Sequence, residues 1–314
     1  MTAPDCGIGQ TLFFAMRRGA FCCFRVAAVQ SGMDTEGQST MEISMADQVK
    51  LTKAQRFQFD AHGFVLLENV LTEEEVQTCR DALYRIKDDP EVEAKGVYRR
   101  SQDCLTLMGN LVAYDPALLN YATHPKLVPL VEEVVGGSIR LEESEAIINH
   151  RNPEDTDEEL STRRTHPTGF HRGTTPTWGC YQEKDRFHCV FVKTLAYLTD
   201  VGPDDGGTSF IPGSHRMTWA KEEMIEAATD DPALIHQVEA PAGSVLLFPE
   251  SLIHSTTKIK SDRERVILVS GYTPPMLREW PGNEVDPAFV ETLPEEIRPL
   301  VSGSESWRWK RNYQ

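Results

Sequence analysis

The sequence contains no apolar run of about eighteen residues or more, so it offers no transmembrane helix. It also lacks an excess of base. Thirty-two Lys and Arg stand against 48 Asp and Glu, leaving a formal net charge of −16. That sign argues against non-specific nucleic-acid binding and against an anionic membrane surface, both of which need a basic face. CxxC pairs are absent. The seven cysteines (Cys6, Cys22, Cys23, Cys79, Cys104, Cys180, Cys189) are odd in number and scattered. Reduced thiols and a cytoplasmic location are therefore expected. There is no internal repeat and no low-complexity linker to divide the chain.

The first residues are poor in acid but carry no uninterrupted secretory core. Leu12 to Arg25 is apolar yet broken by Arg17, Arg18 and Arg25. Such an Arg-bearing leader could address an organelle. The plainer reading is that residues 1–45 are a disordered extension, or lie ahead of the true start, with Met41 and Met45 just before the first good helix. Residues 46–314 then form a single domain.

What is present begins near Leu51. Thr52 can cap a short helix over Lys53 to Ala61, stopped by Gly63. Gly63 to Leu67 reads as a buried strand. Thr72-Glu-Glu-Glu75 is a capping box ahead of Val76, Cys79, Leu83 and Ile86, which recur at helical spacing. Two more helices are expected, Ala117–Ala122 and Pro125–Val135, the second closed by Gly136-Gly137. From Ile139 the texture turns to β: Ala146–Asn149, Phe187–Leu198, Thr208–Ile211, Ser244–Phe248 and Val266–Tyr272. A polar loop, Arg151 to Thr168, and a helical insertion, Trp219 to Ile235, interrupt them. Short strands between Gly/Pro turns indicate a sandwich or barrel.

Three stretches carry the chemistry. Gly169-Phe-His-Arg-Gly-Thr-Thr-Pro176 and Ser251-Leu-Ile-His254 each place a histidine where a strand meets a loop. Arg265 follows the second histidine and opens an apolar strand. Between them runs Asp204-Asp-Gly-Gly-Thr-Ser-Phe-Ile-Pro-Gly-Ser-His-Arg216. With the opening Gly-Phe-Val strand and the Asn-Val-Leu-Thr-Glu-Glu-Glu helix, these stretches resemble the phytanoyl-CoA dioxygenase-like family of Fe(II)/2-oxoglutarate-dependent oxygenases. The resemblance implies a mainly β fold with flanking helices, a double-stranded β-helix or jelly roll. It implies that His171 and His254 are iron ligands, that Arg265 anchors the distal carboxylate of 2-oxoglutarate, and that O2 is co-substrate. Two neutral imidazoles and a carboxylate leave three open positions on such an iron, and the guanidinium fork suits a carboxylate. Arg263, of the same strand parity, is the fallback anchor. His166, His188 and His215 fit less well, His215 belonging to the Pro-Gly-Ser-His turn, which is read as structural or as supporting the ligands from behind.

One position departs from the family. Its first motif is His-x-Asp, and the third residue here is Gly173. The related iron/2-oxoglutarate halogenases carry Ala or Gly there and bind chloride in the freed space. Gly173 is thus expected to leave an open position for water or chloride. Four outcomes stay open at this level. They are hydroxylation of an aliphatic C–H with water at the site, chlorination, a loop carboxylate such as Glu183 or Asp185 swinging in, and a ligand-binding protein without turnover. The family's usual hydroxylation is taken first.

Substrate evidence is thin. Arg151, Arg163, Arg164 and Arg172 could meet a phosphate or carboxylate on a small molecule, or be a solvated charged loop. Trp178 and Tyr181 could line a pocket or pack in the core.

Overall fold

A computed structural model of the chain describes residues 49–102, 104–162 and 168–309. The expected extension, residues 1–45, lies outside that set, as do Arg163, Arg164 and His166. The described elements begin with α1 (Lys53–His62), β1 (Val65–Leu67), α2 (Glu73–Asp88), β2 (Tyr98–Gln102) and β3 (Leu105–Gly109). They continue with α3 (Pro116–Ala122), α4 (Val128–Val135), β4 (Arg140–Asn149), α5 (Asp157–Thr162), β5 (Thr168–His171), α6 (Pro176–Gly179), β6 (Cys180–Glu183), β7 (Arg186–Cys189) and β8 (Val192–Tyr197). The C-terminal part holds β9 (Thr208–Phe210), α7 (Lys221–Asp230), β10 (His236–Gln237), β11 (Val245–Pro249), β12 (His254–Thr256), β13 (Arg265–Thr273), α8 (Pro287–Thr292) and α9 (Arg298–Ser302).

Local chemistry sets the helix ends. Thr52 and Thr72 each accept a bond from the N3 backbone while Gln55 and Glu75 reach back to the cap, so both helices start on closed capping boxes. Gly63 ends α1 at φ +89°, a left-handed conformation that a side chain would oppose. Gly136 ends α4 in the same way at φ +88°, and a Cβ there would lie 2.5 Å from the Tyr181 hydroxyl.

The strands make a seven-stranded sheet, β1-β11-β8-β13-β4-β3-β2, and a four-stranded sheet, β10-β9-β12-β5. Every pairing is antiparallel, including the separate β6–β7 hairpin. The large sheet is apolar on both faces. Along β13, Val266 and Leu268 join a core with Leu83, Ile86, Leu118 and Val131 from the helices. The alternate residues Ile267 and Val269 join Leu195, Tyr197, Leu246 and Phe248, with Phe210 of the small sheet. The strand period of two thus feeds a helix-facing core and a barrel-interior core. This is the expected β-rich jelly roll with helices packed on one side.

Differences are local. The run Phe187–Leu198 is two strands, because the chain breaks at Val190 and Phe191: β7 pairs with β6 while β8 joins the large sheet. The β2–β3 hairpin carries no alternation that marks it, since β2 (Tyr-Arg-Arg-Ser-Gln) is mostly exposed at the sheet edge.

Leu83, wholly buried in the helix-facing core, gives a direct measure of that packing. Leu83→Ala is expected to cost about 2–5 kcal/mol in urea unfolding, and Thr72→Ala, at the α2 cap, about 1 kcal/mol. Equal losses for the two would contradict this division.

Candidate functional site

The barrel mouth is built where the small sheet brings two histidines together. On the paired strands β5 and β12, His171 stands directly opposite His254. Their ring centroids are 4.2 Å apart. Each ring is tied back two residues along its own chain: His171 Nδ1 contacts the Gly169 carbonyl at 2.9 Å, and His254 Nδ1 the Leu252 carbonyl at 2.8 Å. A carbonyl oxygen only accepts, so each Nδ1 carries the proton and each Nε2 presents its lone pair. Burial, partly offset by Glu250, lowers the pKa of His254 to about 4. Its ring is neutral at neutral pH.

Arg265 opens β13 with the parity of Ile267 and Val269, which points it into the barrel. Only 1% of it is exposed. Its Nε donates to Asn149 Oδ1 at 3.0 Å, and an Nη donates to the Gly206 carbonyl. Among the described ion pairs no carboxylate meets it. Burial lowers its pKa to about 10. A buried guanidinium answered by neutral acceptors alone is a strong anion receptor, because dehydration costs it most of its solvation. It lines a cavity of about 330 Å³ with Asn149, Thr256, Thr257 and Lys258. Arg263, the fallback, is instead 60% exposed along its side chain and pairs with Asp205.

The space in front of Gly173 is not open. Glu250, in the turn between β11 and β12, reaches across to it. The Gly173 N–H donates to Glu250 Oε2 at 2.7 Å and to the Glu250 carbonyl at 3.0 Å. A Cβ on residue 173 would lie 2.3 Å from Oε2 and 3.4 Å from the Trp280 ring. The expected water or chloride position at Gly173 is therefore filled by a carboxylate. Nor is that carboxylate Glu183 or Asp185, which belong to the tight β6–β7 turn, where Lys184 and Asp185 take positive φ. The sequence does carry a signal for Glu250: it is the one acidic residue in the run Val245 to Ile253.

Glu250 is itself held. Its Oε1 is 2.7 Å from Lys193 Nζ and 3.8 Å from His254 Nε2. Burial alone would raise its pKa, but the Lys193 ammonium and the Gly173 N–H draw the carboxyl below its ordinary range. Lys193 also meets Glu143 Oε1 at 2.8 Å. Gly271 makes this reach feasible. In register it lies between Glu143 on β4 and Lys193 on β8, and a Cβ there would strike Glu143 Cγ at 2.6 Å. Burial raises Glu143 to about 7 even against the pull of Lys193. Among the described residues no three His, Cys, Asp or Glu side chains are already gathered around a cation-sized space.

Other candidates fall away from the mouth. Arg151 pairs with Asp157. Tyr181 donates to the Val135 carbonyl and stacks on His188, so both are structural. Trp178 is exposed. His215 is buried beneath Gly63 and against Phe187. No helix among the described residues is long and apolar enough to cross a membrane.

The family model described as Phytanoyl-CoA dioxygenase (PhyH) matches residues 59–267. The ectoine dioxygenase of Nocardia farcinica is 22% identical over 228 residues, covering 63% of this chain and 70% of that protein. HygX from Streptomyces hygroscopicus, solved with nickel and 2-oxoglutarate bound, superposes with TM-score 0.59 at 22% identity, over 73% of this chain and 90% of its own. HygX has also been solved with hygromycin B, and with iron. EctD from S. alaskensis with bound Fe superposes with TM-score 0.55 at 20% identity, covering 76% and 83%.

His215, buried away from the mouth, gives the fold a pH dependence. Burial, then Arg216, lowers its pKa from 6.5 to about 4. The folded ring resists protonation while the unfolded ring accepts it, so its contribution is complete above pH 6.5 and lost as pH falls toward 4. His215→Asn should remove about 2 kcal/mol of the stability lost between pH 7 and pH 5, read from urea unfolding at both values. An unchanged acid loss in the variant would show that the ring titrates alike in both states.

Proposed function

Because this chain belongs to the phytanoyl-CoA dioxygenase family, we propose that it is an Fe(II)- and 2-oxoglutarate-dependent oxidoreductase that hydroxylates an aliphatic C–H of a small molecule. The observation that carries this is the pairing of His171 with His254, each ring held through Nδ1 by a backbone carbonyl, in a barrel that also buries Arg265 with no carboxylate partner among the described ion pairs.

The residues present fit the group the family uses. Two neutral imidazoles are borderline ligands suited to Fe(II), and their Nδ1 bonds fix tautomer and orientation in advance. Arg265 would take the distal carboxylate of 2-oxoglutarate in a fork of two bonds, a reading supported by the cavity it lines with Thr256 and Thr257. Iron bound there, with 2-oxoglutarate and O2, supplies the oxidising power for the C–H bond. The chain's part is to hold the co-substrate and orient the substrate.

Hydroxylation is preferred to chlorination because the Glu250 carboxylate lies where a halide at Gly173 would have to sit. A halide and a carboxylate repel each other there, and only withdrawal of Glu250 would admit chloride. Retained His171, His254 and Arg265 speak for turnover over a purely ligand-binding role.

The test is direct. The full chain with Fe(II) and 2-oxoglutarate under anaerobic conditions should show the weak visible charge-transfer band of that chelate, and with O2 should convert 2-oxoglutarate to succinate. A chain that binds neither metal nor co-substrate would sink the enzyme reading. His171→Ala and His254→Ala should each abolish stoichiometric Fe(II) binding. Arg265→Ala should weaken 2-oxoglutarate binding by about 2–5 kcal/mol, the cost of breaking a buried charge pair. An equal effect from Arg263→Ala would move the anchor to the outer residue.

A further inference from the structure

The Fe(II) site read above has two histidines and no carboxylate in its first motif, and a carboxylate from another strand connection stands in the missing place. We infer that Glu250 is the third protein ligand of the iron, supplied from the β11–β12 turn instead of from residue 173. This assignment rests on the iron-site reading and adds to it.

Four observations carry it. The first is steric. Oε2 lies 2.3 Å from where a Cβ on residue 173 would be, so the glycine and the Glu250 carboxylate occupy one space in complementary fashion. The second is backbone anchoring. The Glu250 carbonyl accepts from the N–H groups of Gly173 and Thr174, at 3.0 and 3.3 Å. The turn is therefore tied to the strand end that carries His171. The third is direction. Oε1 faces His254 Nε2 at 3.8 Å, the side from which that nitrogen would reach a metal. The fourth is charge. Glu250 is buried, and its Oε1 lies 2.7 Å from Lys193 Nζ, so a carboxylate oxygen is already held at the site opposite a cation. Oε1 has no hydrogen-bond donor of good geometry, only the ion pair with Lys193.

The three donors are near one another but not closed around a common point. The Glu250 backbone is tied to Gly173 and Thr174, which leaves its side-chain torsions as the freedom for closing them. Lys193 then plays a positioning part: it balances the carboxylate when the metal is away and stays paired with Glu143 when Glu250 turns toward the metal.

The experiment uses the full chain and Mn(II) as a spectroscopic stand-in for Fe(II), with binding followed by EPR. Glu250→Ala should weaken Mn(II) binding by more than about a hundredfold, beyond the roughly 10–100-fold typical of losing an outer-shell partner. Glu250→Gln, which keeps the shape and loses the charge, should do the same. The double variant Gly173→Asp/Glu250→Ala returns the carboxylate to the first motif and should recover most of the affinity. Circular dichroism checks folding, and Glu250→Gln with the double variant decide the matter if Glu250→Ala does not fold. In the wild-type chain, added chloride should leave the Fe(II)·2-oxoglutarate band unchanged, whereas in Glu250→Ala it should shift it. Wild-type Mn(II) affinity in both Glu250 variants, with loss in His171→Ala and His254→Ala, would overturn the ligand assignment and leave the iron site standing. A chloride-dependent band in the wild type would overturn it as well. Full Mn(II) affinity in the histidine variants would instead remove the site reading beneath it.

Discussion

Lys193 carries a full charge into the barrel mouth, where little water reaches it, and two carboxylates answer it instead. Glu143 comes from β4, Glu250 from the turn after β11, and the ammonium from β8 between them. Burial works against the lysine's charge, yet the two acids together push its pKa above the ordinary value. Removing one member of such a set leaves a buried charge unanswered, typically at about 3–5 kcal/mol. The row therefore fixes the relative placement of the large sheet's inner face and the strand end bearing Gly173. The position of His171, and with it the pairing of the two histidines, depends on that placement.

The mouth shows how polar chemistry is fitted into a barrel whose interior is otherwise apolar. Leu195, Tyr197, Leu246, Phe248, Ile267 and Val269 fill the inner face over its middle. At one end the same parity brings in Arg265, and at the other Lys193 and Glu143. One strand, β13, thus spans both ends, with an arginine at its start and Gly271 near its finish. The apolar middle keeps the two charged ends apart and limits water between them. Each end then acts in a lower effective dielectric than it would at a surface, which strengthens its hold on a charged group.

Much of the fold was legible because its signals are local. The Thr52 and Thr72 capping boxes, the left-handed glycines and the apolar runs of β11 and β13 are written within a few residues. The Phe187–Leu198 run was misjudged as one strand because alternation continues through a break that only pairing partners impose. The histidine pair and Arg265 could be picked out by motif, and their facing positions follow from registers that no local pattern encodes. Glu250 was missed for a related reason. The loop acids near Gly173 in sequence are Glu183 and Asp185, whereas the group that reaches it is 77 residues away along the chain. Contacts across a sheet are set by topology, and sequence distance is a poor guide to them.

The fit between Gly173 and Glu250 also constrains how this site could change by descent. A side chain at 173 and the acid at 250 claim the same volume, so the two positions are not independent. A chain that acquired Asp at 173 while retaining Glu250 would crowd two like charges into a buried space, a combination worse than either alone. The order of substitutions then matters: position 250 must yield before position 173 can take a carboxylate, or the reverse on the way here. Such sign dependence makes the glycine a marker of history as much as of chemistry, and relatives with Asp at this point are expected to carry a small or neutral residue at the counterpart of Glu250.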